Sequence, residues 1–272
     1  MNFKPAVPFG GFSGWTFLKR TIEAQKAAFV ASAEVRRDED YFRQKIGGIR
    51  TAEALVSDRR LLRVALDAFG LGNDINNRFF IRKVLEDGTL TTGALSNRLA
   101  DKQYLAFSKA FGFGDYSVPR TQLSDFADTI IAQFRTRSFE AAVGAQNDTM
   151  RLALNAEREL PALAARNANE DTLWYTVIGS PPLRQVFQTA FGLPASFGAI
   201  DLDQQLQVYK AKAEQAFGDG GIRQFADPAA LGGLIRRFLA RSEAQGAPGA
   251  TASAALTLLQ NGQSSLRSIL AG

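Results

Sequence analysis

The chain has 272 residues, 46% hydrophobic and 22% charged, enough apolar side chain to bury a sizeable core. It contains no cysteine and no histidine, which excludes disulfides, thiolate chemistry and imidazole as base or metal ligand. Its 32 basic and 27 acidic residues give a net charge of +5, interleaved along the chain rather than gathered on one cationic, aromatic-bearing element of the kind that phosphate contact rewards.

Residues 1–12 read as an extended segment, because Pro5, Pro8 and Gly10-Gly11 deny a regular helix its hydrogen bonds and dihedrals. The segment lacks an apolar h-region, so no cleaved secretory signal is expected, and the chain is expected to work in the cytoplasm or to leave by a route that needs no cleaved signal. Phe3, Phe9 and Phe12 either fold back over the body or anchor a protein partner. From Ser13, an N-cap, to about Ile46 the spacing of Leu18, Ile22 and Phe29 predicts one long helix, with the charge run Glu34–Asp40 on a solvated face. This opens a helical domain over residues 13–242.

Three segments then repeat a phrase: Ala68-Phe69-Gly70, Ala110-Phe111-Gly112 and Ala190-Phe191-Gly192. Each reads as a helix end, its ring packed inward and its glycine in the left-handed position after the last turn. Upstream of the first and third, Leu61 and Val64 match Leu183 and Val186, while Leu55 and Val56 fall opposite Val177 and Ile178. The match points to an internal duplication of a helical hairpin, with repeat halves at about 50–115 and 172–242.

Asn73 to Leu85 is amphipathic through Ile75, Phe79, Val84 and Leu85, and Leu95, Leu99 and Phe107 lie along a further helix ending at Phe111. Phe126, Ile130 and Phe134 open a helical stretch to about Arg166, with Gly144 a weak point and Pro161 a break or kink. Leu202, Leu206, Tyr209, Ala213 and Ala216 make one stripe; Leu231, Leu234, Ile235, Phe238 and Leu239 make another, opened by Asp227-Pro228. Strand-like alternation is nearly absent, so the fold class is all-α, a multi-helix bundle. No apolar run reaches the roughly 20 residues of a membrane span. Residues 243–251 are small and helix-ending and read as a linker to an amphipathic C-terminal helix, 252–272, marked by Leu256, Leu259, Leu266 and Leu270. That helix either caps the body or meets another chain.

No motif selects a reaction. Gly70-Leu71-Gly72 and Gly112-Phe113-Gly114 lack the third glycine and preceding strand of a dinucleotide loop, there is no phosphate-binding GxxxxGK[ST] loop, and Asp201-Leu202-Asp203 lacks the remaining ligands of a calcium loop. Glu157 and Glu159 diverge around a helix, whereas Glu170 and Asp171 suit a helix start. The clusters Arg59, Arg60, Arg63; Arg78, Arg82, Lys83; and Arg236, Arg237, Arg241 read as solvated faces. No cofactor, metal site or catalytic residue is expected.

The runs Asp40-Tyr41-Phe42-Arg43, Leu55-Val56-Ser57-Asp58-Arg59-Arg60-Leu61-Leu62, Asn97-Arg98-Leu99-Ala100-Asp101-Lys102-Gln103-Tyr104 and Ile178-Gly179-Ser180-Pro181-Pro182-Leu183-Arg184 carry a resemblance. Over about residues 15–242 the chain resembles an alphaproteobacterial family of unknown function whose genes tend to lie among flagellar genes. The resemblance implies a motility setting, a flagellar component as protein partner and no reaction. The expectation is a non-enzymatic protein of flagellar assembly or structure, in the cytoplasm or associated with the flagellum. A carboxylate-dependent cell-wall glycan hydrolase is the alternative, and a basic nucleic-acid scaffold the weaker one.

Overall fold

A computed structural model describes residues 3–246, in which helices are joined by short turns and no strand occurs. In chain order they are α1 (Gly11–Val30), α2 (Ala33–Ile46), α3 (Ala52–Ser57), α4 (Arg59–Phe69), α5 (Arg78–Asp87), α6 (Leu95–Arg98) and α7 (Gln103–Phe111). These are followed by α8 (Phe126–Gly144), α9 (Asp148–Ala164), α10 (Glu170–Ile178), α11 (Pro181–Phe191), α12 (Leu202–Phe217) and α13 (Pro228–Gly246). The fold is an all-α bundle. No helix among the described residues is long and apolar enough to cross a membrane.

The antiparallel pair α8 and α9 lies at the centre. Helices α4 and α2 pack on α8, while α11 and α13 pack on α9. One apolar core runs through all of them from Trp15 to Leu239. Around α8 it is built from Phe69, Phe107, Phe111 and Phe126, with Phe69–Phe107 at 5.4 Å, Phe107–Phe111 at 5.0 Å and Phe111–Phe126 at 5.1 Å. Beyond α9, Trp174 stacks on Tyr209 at 5.5 Å and meets Phe187 edge-on at 5.1 Å.

The three Ala-Phe-Gly phrases end α4, α7 and α11 as expected. Gly70, Gly112 and Gly192 hold φ of +75°, +67° and +66°, the region that other residues enter at a cost of about 1–2 kcal/mol. Each end also carries an arginine: Arg137 lies against Gly70, Arg120 close to Gly112 and Arg241 against Gly192. Arg237 Nε donates to the Ala190 carbonyl at 2.8 Å. Cations there suit the negative end of the helix dipole. The hairpins α3–α4 and α10–α11 share this local form, yet α4 packs mainly on α8 and α11 mainly on α13 and α9.

Several expectations are corrected. The long helix from Ser13 to Ile46 is two helices, because Ser32 is extended (ψ 146°) and turns the chain. Helix α1 can then lie against α13 while α2 lies against α4 and α8, which one straight rod could not do. The first begins at Gly11, not Ser13. The run Glu34–Asp40 is not wholly solvated: Asp38 and Glu39 are buried. Asp38 accepts from Arg60 at 2.9 Å and from Arg63, and Glu39 accepts from Arg135 Nε at 2.7 Å. The Arg59, Arg60, Arg63 cluster is thus partly spent on helix-to-helix pairing, and in the Arg78, Arg82, Lys83 cluster Arg82 pairs with Glu53 and Lys83 with Asp87.

Phe79 is 75% exposed rather than in the core, with the Arg82 guanidinium over its ring. The helix through Leu95 and Phe107 is interrupted after Arg98, and α7 restarts at Gln103. Leu202 is exposed, although Leu206, Tyr209 and Ala213 are buried as read. Gly144 does mark the break between α8 and α9, but α9 runs through Pro161 for another turn. Asp227 caps α13, accepting from the Ala229 and Ala230 amides at 3.3 Å. Helix α13 continues to Gly246, beyond the expected end of the body at 242, and the Glu243 carboxyl rests against Gly11.

Candidate functional site

Two cavities open on either side of a wall made by Gln103 and Arg137. The first is a polar cleft of about 630 Å³. From α9 it takes Asp148, Arg151 and Asn155, whose spacing of three and four residues puts them on one helical face. Helix α8 contributes Arg137, Ser138, Glu140 and Gly144, and Asp67 stands at the end of α4.

Most of the charges in this cleft are already paired. Arg158 donates to both oxygens of Glu140, at 2.7 and 2.9 Å, and to Glu159 at 2.6 Å. Arg137 donates to Glu159 at 2.9 Å, and Arg151 to Asp148 at 2.7 Å. Burial, with Arg158 beside it, holds the Arg137 guanidinium below the ordinary arginine range, whereas the Glu140 and Glu159 carboxylates raise that of Arg158 against its own burial. Asp67 differs. Its side chain forms neither a hydrogen bond nor an ion pair among the described residues, and burial pushes its carboxyl up to about 6, opposed by Arg63 and reinforced by Asp38. Ser138 Oγ and Asn155 Oδ1 are buried and also lack partners.

The second cavity is an apolar groove of about 490 Å³ between α7, the end of α9, α10 and the start of α11. Its floor is Phe69, Leu105, Leu163 and Leu183. Lys102, Lys109 and Arg166 stand on its rim, and its one carboxylate, Glu159, is already held by Arg137 and Arg158. The groove therefore offers an apolar surface bordered by an excess of positive charge.

Neither cavity is lined by Phe3, Phe9 or Phe12. Phe3 is partly buried and meets Phe29 edge-on at 6.4 Å, so it folds back on the body. Phe9 and Phe12 are about half exposed, Phe9 against Phe17 at 6.3 Å and Phe12 under the Arg236 guanidinium. Leu256, Leu259, Leu266 and Leu270 lie outside the described residues. The cleft and groove are built by six separate helices, and the local signal for them is the Asp148, Arg151, Asn155, Glu159 face of α9.

Comparison with known proteins places this architecture. The crystal structure of protein AGR_C_984 from Agrobacterium tumefaciens is similar to the chain with a TM-score of 0.70 and 25% identity, covering 89% of this chain and 99% of that one. No curated protein matches. A family model described as "Protein of unknown function (DUF1217)" matches residues 68–231, a span that holds α5 to α12 and both cavities' central helices. With well over half of its length in that match, the chain belongs to the DUF1217 family.

Proposed function

We propose that the protein is a non-enzymatic component of flagellar assembly or structure that works by binding another protein in the groove beside α7 and α10. The flagellar setting rests on the resemblance of residues 15–242; the mode of action rests on the groove. An apolar floor about 490 Å³ in volume, rimmed by Lys102, Lys109 and Arg166 with no free carboxylate, suits an amphipathic helix carrying acidic flanks. The chain's own residues 247–272 contain a single charged side chain, Arg267, and so lack that complement.

The hydrolase reading has less support. Acid-base cleavage of a glycan needs two available carboxyl groups, and in the cleft Glu140 and Asp148 are both engaged by arginine. The nucleic-acid reading loses Arg60, Arg82 and Lys83 to Asp38, Glu53 and Asp87.

Deleting the gene from a motile host is expected to reduce swimming or filament number. Re-expression of the wild-type chain restores it, and the double variant Lys109→Glu, Arg166→Glu does not. Normal motility in the deletion strain rejects the flagellar setting, while full rescue by the charge-reversed variant rejects the groove.

A further inference from the structure

We infer that the groove seats its partner helix in one direction only: acidic residues gathered at the partner's C-terminal end lie between Lys109 and Arg166, and its uncharged N-terminal end lies by Lys102 and Gly179. Such seating rests on the reading that the groove binds an amphipathic helix, and it narrows the partner's acidic flanks to one end.

The groove has two distinguishable ends. Helix α7, with its capping Lys102, turns Lys102, Leu105 and Lys109 toward it at helical spacing, and α10 turns Thr172, Tyr175 and Gly179. The Lys102 amide donates to the Gly179 carbonyl at 3.3 Å, so the start of α7 meets the end of α10. Two turns further along α7, about 10 Å away, Lys109 marks the opposite end of the groove, on the side of Thr172. Arg166 belongs to the turn that leads from α9 into α10, and therefore stands at that same end.

The ends differ in the cations they leave free. Lys109 and Arg166 are both exposed, and neither side chain forms a hydrogen bond or an ion pair among the described residues. The acids in the first turn of α10 are spent elsewhere, Asp171 on Lys210 and Glu170 on Arg223 at 3.0 Å. At the other end Lys102 Nζ already donates to the carbonyls of Asn97 at 3.0 Å and Leu99 at 2.8 Å, and the Asp101 carboxyl is its neighbour in the chain. A partner carboxylate would have to displace those bonds to pair with Lys102, whereas Lys109 and Arg166 offer two uncommitted cations. Chain direction follows from the same charges. The C-terminal end of a helix carries partial negative charge, so it adds to acidic side chains facing Lys109 and Arg166, and the reversed helix would oppose them.

The test uses the full chain and hydrocarbon-stapled model helices that share one leucine stripe and carry glutamates in the last turn, in the first turn or nowhere; the staple keeps their helicity equal. Fluorescence anisotropy at low salt is expected to show the last-turn peptide binding about tenfold more tightly than the first-turn peptide. Lys109→Ala and Arg166→Ala, both at exposed positions, should each weaken the last-turn peptide about two- to fivefold and leave the uncharged peptide unchanged. A benzophenone at the C-terminal end of the peptide should attach near Lys109 or Arg166, and one at the N-terminal end near Lys102 or Gly179, as mapped by mass spectrometry. Equal or tighter binding of the first-turn peptide, indifference to both alanine variants, or reversed attachment overturns the direction and leaves the groove standing as a helix site. Binding by none of the three peptides rejects the groove reading itself, and the direction with it.

Discussion

Asp67 occupies a position that a carboxylate tolerates poorly. It stands in the last turn of α4, close to the negative end of that helix, with Asp38 nearby and Arg63 as its single opposing charge. The ordinary carboxyl value is 3.8 and the folded value about 6, so between them the native state holds a proton that the unfolded chain has lost. Its contribution to stability is therefore complete below the unfolded value and is lost as pH rises through about 6. Asp67→Asn is expected to raise stability at pH 7 by about 1–3 kcal/mol and to leave it unchanged near pH 3; urea titrations at the two pH values provide the check. Gly88 is a different kind of residue-scale constraint. Its φ of +67° and ψ of −151° are essentially restricted to glycine, and a Cβ there would lie 2.8 Å from the Gly114 carbonyl carbon. Gly88→Ala should cost more than about 2 kcal/mol, against about 1 kcal/mol for Gly70→Ala at an ordinary helix end, as measured by thermal or urea unfolding. The Ala-Phe-Gly phrase made Gly70 legible from local order alone. Nothing local marked Gly88, because its constraint comes from a loop 26 residues away, where the Asp115 carboxylate also accepts from the Thr89 hydroxyl.

Between elements, ion pairs link helices that the sequence presents only as charged faces. Glu140 on α8 is 7% exposed and held by both arms of Arg158 on α9. Removing Arg158 alone leaves that carboxylate buried without a counter-charge. Arg158→Met is expected to destabilise by about 3 kcal/mol, whereas the double change Glu140→Gln, Arg158→Met should recover most of the loss. A double-mutant cycle in urea gives the coupling. The same logic separates the run Glu34–Asp40 from a solvated face. Its composition resembles a solvated helix face, but Asp38 and Glu39 are turned inward by the break at Ser32 and meet arginines 22 to 96 positions away. Amphipathic periodicity located α13 and its Asp227 cap correctly, because those signals are local.

Across the whole molecule, one core joins the Trp15 region to the Trp174 region through α8 and α9. Shared burial of this kind couples the two ends, so the fold should open in a single transition. The two tryptophans are the only ones in the chain. Fluorescence of Trp15→Phe and Trp174→Phe variants should give urea profiles that coincide with each other's circular dichroism once each variant's own stability is normalised. Separate fluorescence and dichroism midpoints within one variant would show that the ends unfold independently.

Helix content, the three glycine-terminated ends, the α13 stripe and the absence of thiol and imidazole chemistry could all be read from the sequence, because propensity, periodicity and composition act over a few residues. The groove, the cleft and the buried charges could not. They arise where α4, α7, α8, α9, α10 and α11 converge, and burial of Asp67, Ser138 and Asn155 depends on neighbours that only packing supplies. A side chain's periodicity shows which face of its helix it occupies; the tertiary structure decides whether that face meets solvent, an arginine or an empty cleft.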